Sequence, residues 1–247
     1  WALFHAGKYA EAIAIAQAFV QQHADTPDAE GVRYLLANCL QQQGDYQGAI
    51  DAYRALRKAS PASDFAARAR YKIAWALHQL GKQDEAEQEV TAFLSENKAS
   101  SLRGDAGFLR GAILMAKGGN EDAYQEFRLV AEKYTDSEFA PEALFRAGEC
   151  LARMNRTEEA GKVFEAFAMK YPDNILAEQA VMRVGDAQFA SAAFAQAIER
   201  YKKILESSPE PGIEEQTLYR MAITYHNMQN YQASADVFRQ LLQKHPQ

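Results

Sequence analysis

The residues able to do chemistry in this sequence are few and do not converge. Five histidines, His5, His23, His78, His226 and His245, have no second ligand type one helical turn away. A zinc ion needs its ligands within about 2.0–2.3 Å, so this spacing predicts no metal site, and nothing predicts a bound cofactor. No Gly-x-Gly-x-x-Gly, P-loop lysine, Gly-x-Ser-x-Gly or His-Glu-x-x-His occurs, which removes the usual phosphate, nucleophile and zinc-protease signatures. The carboxylate pairs Glu158-Glu159 and Glu214-Glu215 sit near expected helix starts, where negative charge complements the helix dipole. What remains is recognition chemistry. Arg146, Arg183 and Arg220 recur at equal intervals, with Glu149 and Asp186 three residues after the first two. A guanidinium presents forked donors to carboxylates; an i, i+3 pair is also a local helix salt bridge worth about 0.2–0.5 kcal/mol. No catalytic residue is expected.

The interval that spaces these arginines runs through the whole chain. Gly7, Gly44, Gly81, Gly118, Asn155, Ala192 and Gln229 stand 37 residues apart with no insertion. Seven residues before each, from the second onward, stand only Ala or Gly: Ala37, Ala74, Gly111, Gly148, Gly185 and Ala222. A column this small predicts two helices in close approach. Ten residues before stand Tyr34, Tyr71, Phe108, Phe145, Met182 and Tyr219. After the punctuation, positions +5, +9 and +12 are apolar, as in Ala49, Tyr53 and Leu56, an i, i+4, i+7 stripe. Proline at Pro61, Pro172, Pro209 and Pro246 closes four units, since it cannot continue a helix. Ser63-Asp64, Asp136-Ser137 and Asp173 are each expected to cap the next helix. Each unit therefore reads helix, turn, helix, loop. Such a pair cannot bury its apolar face alone, and stacking completes the core.

Composition agrees. The 247 residues carry 48% apolar and 24% charged residues, 46 alanines and 7 prolines, which favours helix and excludes a disordered chain. No run approaches the ~18 apolar residues of a membrane span. A net charge of −6 lacks the basic footprint of nucleic-acid binding. Cys39 and Cys150 share one column three units apart. Helices stacked about 8–10 Å apart hold them far beyond the ~7 Å limit of a disulfide, so both are expected to be buried packing residues.

These columns resemble the tetratricopeptide repeat (TPR) family: Ala/Gly at 37, 74, 111, 148, 185 and 222, Gly44-Asp45-Tyr46, the alanines from Ala12 to Ala197, and the closing prolines. The resemblance covers the whole chain. The period departs from the usual ~34 residues, and the second helix carries the bulky column Phe19 to Leu241 in place of a small residue. Segments such as Lys133-Tyr134-Thr135-Asp136-Ser137 and Lys170-Tyr171-Pro172-Asp173 are similar to a subgroup that includes periplasmic TPR proteins of bacterial envelopes. The resemblance implies an all-α, right-handed solenoid over 1–247, with a partial repeat at 1–27 and repeats at about 28–62, 63–99, 100–136, 137–173, 174–210 and 211–247. Because Trp1 falls six residues before Gly7, the natural protein is expected to continue upstream.

The resemblance also implies a function. The first helix of each TPR pair lines a concave groove, which places Tyr34, Asn38, Arg68, Tyr71, Lys72, Trp75, His78, Phe108, Phe145, Arg146, Glu149, Arg183, Asp186, Tyr219, Arg220 and His226 on the expected partner-binding surface. Trp75, with Arg68, Lys72 and His78, reads as a binding patch or as a cover over the neighbouring repeat. The carboxylate clamp of chaperone adaptors is absent: of Tyr34, Asn38, Lys72, Asp105 and Leu109, only Asn38 matches it. The expectation is a non-enzymatic scaffold that binds a protein or peptide, with no nucleic acid and no membrane span, in the periplasm or on the envelope. The alternatives are a cytosolic adaptor, or the targeting arm of a larger enzyme whose catalytic domain lies elsewhere. Oligomeric state is left open.

Overall fold

The computed structural model describes residues 1–24, 26–207 and 209–246. Among these residues the chain is all-α, with fourteen helices and no strand: α1 (Ala2–His5), α2 (Tyr9–Gln22), α3 (Ala29–Gln42), α4 (Tyr46–Ala59), α5 (Asp64–Gln79), α6 (Gln83–Glu96), α7 (Arg103–Ala116), α8 (Asn120–Lys133), α9 (Ala140–Arg153), α10 (Thr157–Lys170), α11 (Ala177–Ala190), α12 (Phe194–Glu206), α13 (Pro211–Asn227) and α14 (Tyr231–Lys244). Odd-numbered helices from α3 onward are the first helices of their pairs, termed A helices; even-numbered helices are B helices. Among the described residues no helix is long and apolar enough to cross a membrane.

The punctuating column acts through one backbone conformation. Gly7, Gly44, Gly81 and Gly118 have φ of 72°, 82°, 73° and 84°, and Asn155, Ala192 and Gln229 have φ of 59°, 58° and 59°. A left-handed residue after a helix lets the next N–H reach back to a carbonyl five residues earlier. Those bonds recur in register: Asp45 N–H to Leu40 O at 3.0 Å, Lys82 to Leu77 at 2.9 Å, Arg156 to Leu151 at 2.9 Å, Ala193 to Gln188 at 2.8 Å and Asn230 to Tyr225 at 3.0 Å. The turn then delivers the chain into the B helix; Asp45 Oδ1 accepts from Gly48 N–H at 2.9 Å there.

The loops between pairs repeat as well. Ser63, Ser100, Ser137 and Asn174 each accept, through the side chain, the N–H two residues on: Phe65, Leu102, Phe139 and Leu176. Ser63 is the N-cap of α5, as expected. The caps expected of Asp136-Ser137 and Asp173 do not form: α9 and α11 have Phe139 and Leu176 at their N-caps with no side-chain cap bond, because Ser137 and Asn174 use their side chains one register earlier, in the loop.

The helices gather into two compact units, Trp1–Gly118 and Gly119–Gln247. In the first, each of α2 to α7 packs on its chain neighbour, and A helices α3, α5 and α7 touch in sequence. Its core holds Ile50, Tyr53, Leu56, Ile73, Leu77, Val90, Phe93 and Ile113. In the second, α8 to α14 pack likewise, and α11 touches α13. Its cores are built on Phe145, Phe164, Phe167 and Val184, and on Met182, Tyr201, Ile204 and Met221. Each fully buried side chain of this size contributes about 1.5–3 kcal/mol.

The small column does what its size predicts. A Cβ on Gly148 would stand 2.8 Å from the Phe164 ring, and one on Gly185 2.6 Å from the Tyr201 ring, so each B-helix ring lies directly on the A-helix backbone. Ion pairs tie neighbouring repeats: Arg57 to Glu89 at 3.4 Å and Lys117 to Asp84 at 2.6 Å in the first unit, Arg156 to Glu121 at 2.9 Å and Arg200 to Glu165 at 2.6 Å in the second. Cys39 and Cys150 are buried free thiols. Burial pushes both thiols up, Cys150 to about 11.

Candidate functional site

Within each unit, an A helix such as α5 or α11 packs on its own B helix and on the B helix before it, so only a narrow strip of it meets solvent. The residues ten before each turn fall inside the packed part. Tyr34 is buried between Tyr53 and Phe65, with ring centroids at 5.7 and 5.2 Å. Tyr71 is buried against Phe93 at 6.0 Å. Phe145 is 3% exposed and stands edge-on to Phe164 and Phe167 at 5.2 and 5.6 Å. These three therefore belong to the core rather than to a partner-binding surface, because the column points into the seam between A and B helices. Phe108 is half-buried. Tyr219 departs from its column: it is 54% exposed and only edges Phe238 at 6.2 Å.

In the first unit the expected Trp75 patch divides among several partners. Trp75 is half-buried against the core and stands edge-on to Tyr46 of α4 at 5.8 Å; it covers the preceding repeat. Lys72 lies over the Tyr71 ring at 5.7 Å. His78 Nδ1 is 2.7 Å from Gln83 Oε1. Arg68 is exposed. Asn38 Oδ1 accepts from the Tyr53 hydroxyl at 2.8 Å, an A–B tie inside one pair. In the second unit, exposed His226 stands edge-on to Tyr231 at 5.3 Å.

The arginine column of the second unit is where charge meets solvent. Arg146 is held within its own helix by Glu142 at 3.0 Å and Glu149 at 2.8 Å. Arg183 reaches Asp186 at 3.6 Å within α11, and Arg220 reaches the same carboxylate from α13 at 3.2 Å. The Tyr201 hydroxyl donates to Asp186 Oδ1 at 3.0 Å. One carboxylate thus serves two guanidiniums and a phenol. Burial pushes the Asp186 carboxyl above the usual range despite the opposing pull of Arg220, Tyr201 and Arg183. Burial, followed by the Asp186 charge, pushes the Tyr201 phenol up.

Two features escaped the sequence reading. The first is that hydroxyl–carboxylate tie, which mirrors Tyr53–Asn38. Its signal was present: tyrosine occurs at +9 only in the two repeats whose −6 residue is Asn38 or Asp186. The second is a cleft of 150 Å³ beside Arg220, lined by Asp186, Phe189, Tyr201, Tyr219, Ile223 and Thr224. A larger groove of 570 Å³ lies among α10, α11 and α12, with Met169, Val181 and Ile204 in its lining. Among the described residues no cluster of His, Cys, Asp and Glu could hold a metal ion.

A family model described as an outer membrane lipoprotein, YfiO, matches residues 37–242, and a tetratricopeptide repeat model matches residues 1–64. No curated protein matches the chain. Among solved structures, the C-terminal part of a TPR repeat-containing protein from Cytophaga hutchinsonii is 16% identical, with 99% of this chain and 93% of that chain covered and a TM-score of 0.80. A tetratricopeptide repeat protein from Parabacteroides merdae is 15% identical, with 98% and 89% covered and a TM-score of 0.64. Pseudomonas aeruginosa pilF is 16% identical, with 89% and 93% covered and a TM-score of 0.63. At these identities the likeness is one of fold, and the fold is that of TPR proteins, an interaction-scaffold class that is generally non-catalytic.

Proposed function

This chain belongs to the YfiO outer membrane lipoprotein family, and from that membership and its TPR fold we propose that it is a non-enzymatic scaffold of the bacterial envelope that holds a partner peptide or helix on its A-helix strip. The observation that carries this reading is the composition of the strip. Where its A helices meet solvent, the first unit presents Arg68 and Lys72, and the second, by itself, presents Arg183, Tyr219 and Arg220 beside an open cleft, all half-buried or exposed. Aromatic and arginine side chains on a rigid, preformed surface are the usual anchors of protein recognition. A groove between helices is a standard seat for an extended or helical segment. The family description supports the compartment.

Photo-crosslinking in the source cell tests both parts. A photoreactive residue is placed at Arg68 or Tyr219 on A helices, and at Gln88 or Lys162, which are exposed on B helices α6 and α10. Protein adducts in the envelope fraction from the first two positions, and none from the second two, are expected. Adducts from Gln88 and Lys162 only would overturn the A-helix assignment, and adducts confined to the cytosolic fraction would overturn the envelope assignment. Trp75→Ala is a poor probe here, because Trp75 packs on Tyr46 and its loss perturbs the fold.

A further inference from the structure

We propose that the cleft between α11 and α13 receives an acidic residue and a ring-sized apolar side chain two residues away on an extended partner peptide. The proposal rests on the A-helix reading above and names the chemistry that strip recognises.

The first argument is charge. Arg146 faces two carboxylates, Glu142 and Glu149, and is fully compensated. Among the described residues Arg183 and Arg220 share one carboxylate, Asp186, which leaves one positive charge uncompensated on partly exposed side chains. The other residues lining the cleft, Phe189, Tyr201, Tyr219, Ile223 and Thr224, add no acidic group. The second argument is an unmet donor. Arg220 Nε is buried and has no acceptor among the described residues, while a different nitrogen of the guanidinium bonds Asp186. The guanidinium is thus not saturated by its one carboxylate, and a partner carboxylate that meets its solvent-facing part adds a charge-assisted bond.

The third argument is shape. The cleft volume of 150 Å³ matches that of cavities that admit a benzene ring, and Phe189, Tyr201, Tyr219 and Ile223 give it aromatic and aliphatic wall beside Asp186, Arg220 and Thr224. Tyr219, 54% exposed, forms the open side, where a ring can stack. In an extended chain the side chains at i and i+2 point the same way, about 6.6–6.8 Å apart. Acid and ring on one face of the peptide therefore reach Arg220 and the cleft together.

The test uses the full chain and a fluorescein-labelled peptide, Ser-Asp-Gly-Phe-Gly-Ser, with counterparts carrying Asn for Asp or Ala for Phe. Anisotropy measures affinity, and amide shifts in the 15N-labelled protein map the site. Saturable binding of the parent peptide with shifts confined to α11, α13 and the Tyr201 turn of α12 is expected, with affinity falling at least tenfold for either altered peptide. Arg220→Gln and Tyr219→Ser should each weaken binding severalfold or more, Arg220→Lys should retain part of it, and Arg239→Ala on α14 should leave it unchanged. Added salt should weaken it.

Equal affinity for the Asn peptide, indifference to Tyr219→Ser, shifts in the α10–α12 groove, or no saturation would each overturn the proposal. The peptide substitutions leave the protein untouched, so a folding defect in a variant cannot mask the answer. If crosslinks from Arg68 and Tyr219 persist while the probe fails, the cleft chemistry falls and the scaffold reading stands. Crosslinks only from Gln88 and Lys162 sink the scaffold reading itself.

Discussion

Ala192→Gly is expected to stabilise the second compact unit, and Gly44→Ala to destabilise the first by a similar amount. Both residues end an A helix at positive φ, 58° and 82°. A side chain in the left-handed region costs about 1–2 kcal/mol. Glycine escapes that cost but loses about 0.5–1 kcal/mol more backbone entropy on folding. The difference favours glycine by about 0.5–1 kcal/mol at either site. Packing does not complicate the result at position 44, where an added Cβ meets nothing within 4 Å. Stacked repeats open piecewise, so a single global transition is the wrong readout. The local one is hydrogen exchange at the amides the turn locks, Ala193 donating to Gln188 O at 2.8 Å and Asp45 donating to Leu40 O at 3.0 Å. A change of 0.5–1 kcal/mol corresponds to a factor of about 2–5 in exchange rate: slower at Ala193 in Ala192→Gly, faster at Asp45 in Gly44→Ala. If both substitutions shift exchange in the same direction, or neither shifts it, the left-handed turn is not what sets the repeat boundary.

Gly185→Ala should lower the melting temperature of the second unit, because a Cβ 2.6 Å from the Tyr201 ring overpacks by about 1–3 kcal/mol; Gly31→Ala, where the nearest atom is 3.8 Å away, should raise that of the first unit by helix propensity, and calorimetry of the two variants checks the contrast. The Asp186 carboxyl, raised by burial, binds its proton more tightly in the folded unit than in the unfolded chain. Its contribution to stability therefore grows as pH falls through the folded pKa and is absent above it; a 13C-carboxyl titration should place the midpoint above that of free aspartate, and higher still in Tyr201→Phe, whereas a midpoint at or below free aspartate refutes this. Neither Cys39 nor Cys150 should react with a thiol reagent at neutral pH in the folded protein, since burial raises both; both should react once guanidinium unfolds the chain, and prompt reaction without denaturant would contradict their packing.

The repeat architecture was legible because a period constrains every column at once. The punctuating column was identified without its glycines being uniform, and all seven members, Ala192 and Gln229 included, adopt positive φ. The Ala/Gly column announced the close approach at Gly148 and Gly185. The candidate site was less legible. A period says which residues share a face but not whether that face is seam or solvent. Tyr71 and Phe145 lie one residue before the half-buried Lys72 and Arg146. One helical step, about 100°, carries a side chain from the strip into the core. Trp75 kept both readings until its edge contact with Tyr46 favoured the covering role. The cleft beside Arg220 joins α11, α12 and α13, and no single-column view of the sequence assembles it.

Within the second unit the A helices differ from repeat to repeat in electrostatics. In the second unit, Arg146, Arg183 and Arg220 occupy equivalent positions on equivalent helices, yet their charge balance differs with the carboxylates nearby. Glu142 and Glu149 close the first arginine on itself, whereas Asp186 must serve both of the others and the Tyr201 hydroxyl as well. Surface ion pairs add little to stability, so this asymmetry does little for the fold. Its effect falls on what approaches the strip: an acidic segment gains nothing at the compensated arginine and finds an unmatched charge at the shared one. A scaffold made of near-identical repeats can in this way fix the register of a bound chain, since one carboxylate too few at α11–α13 makes that pair of helices unlike its neighbours.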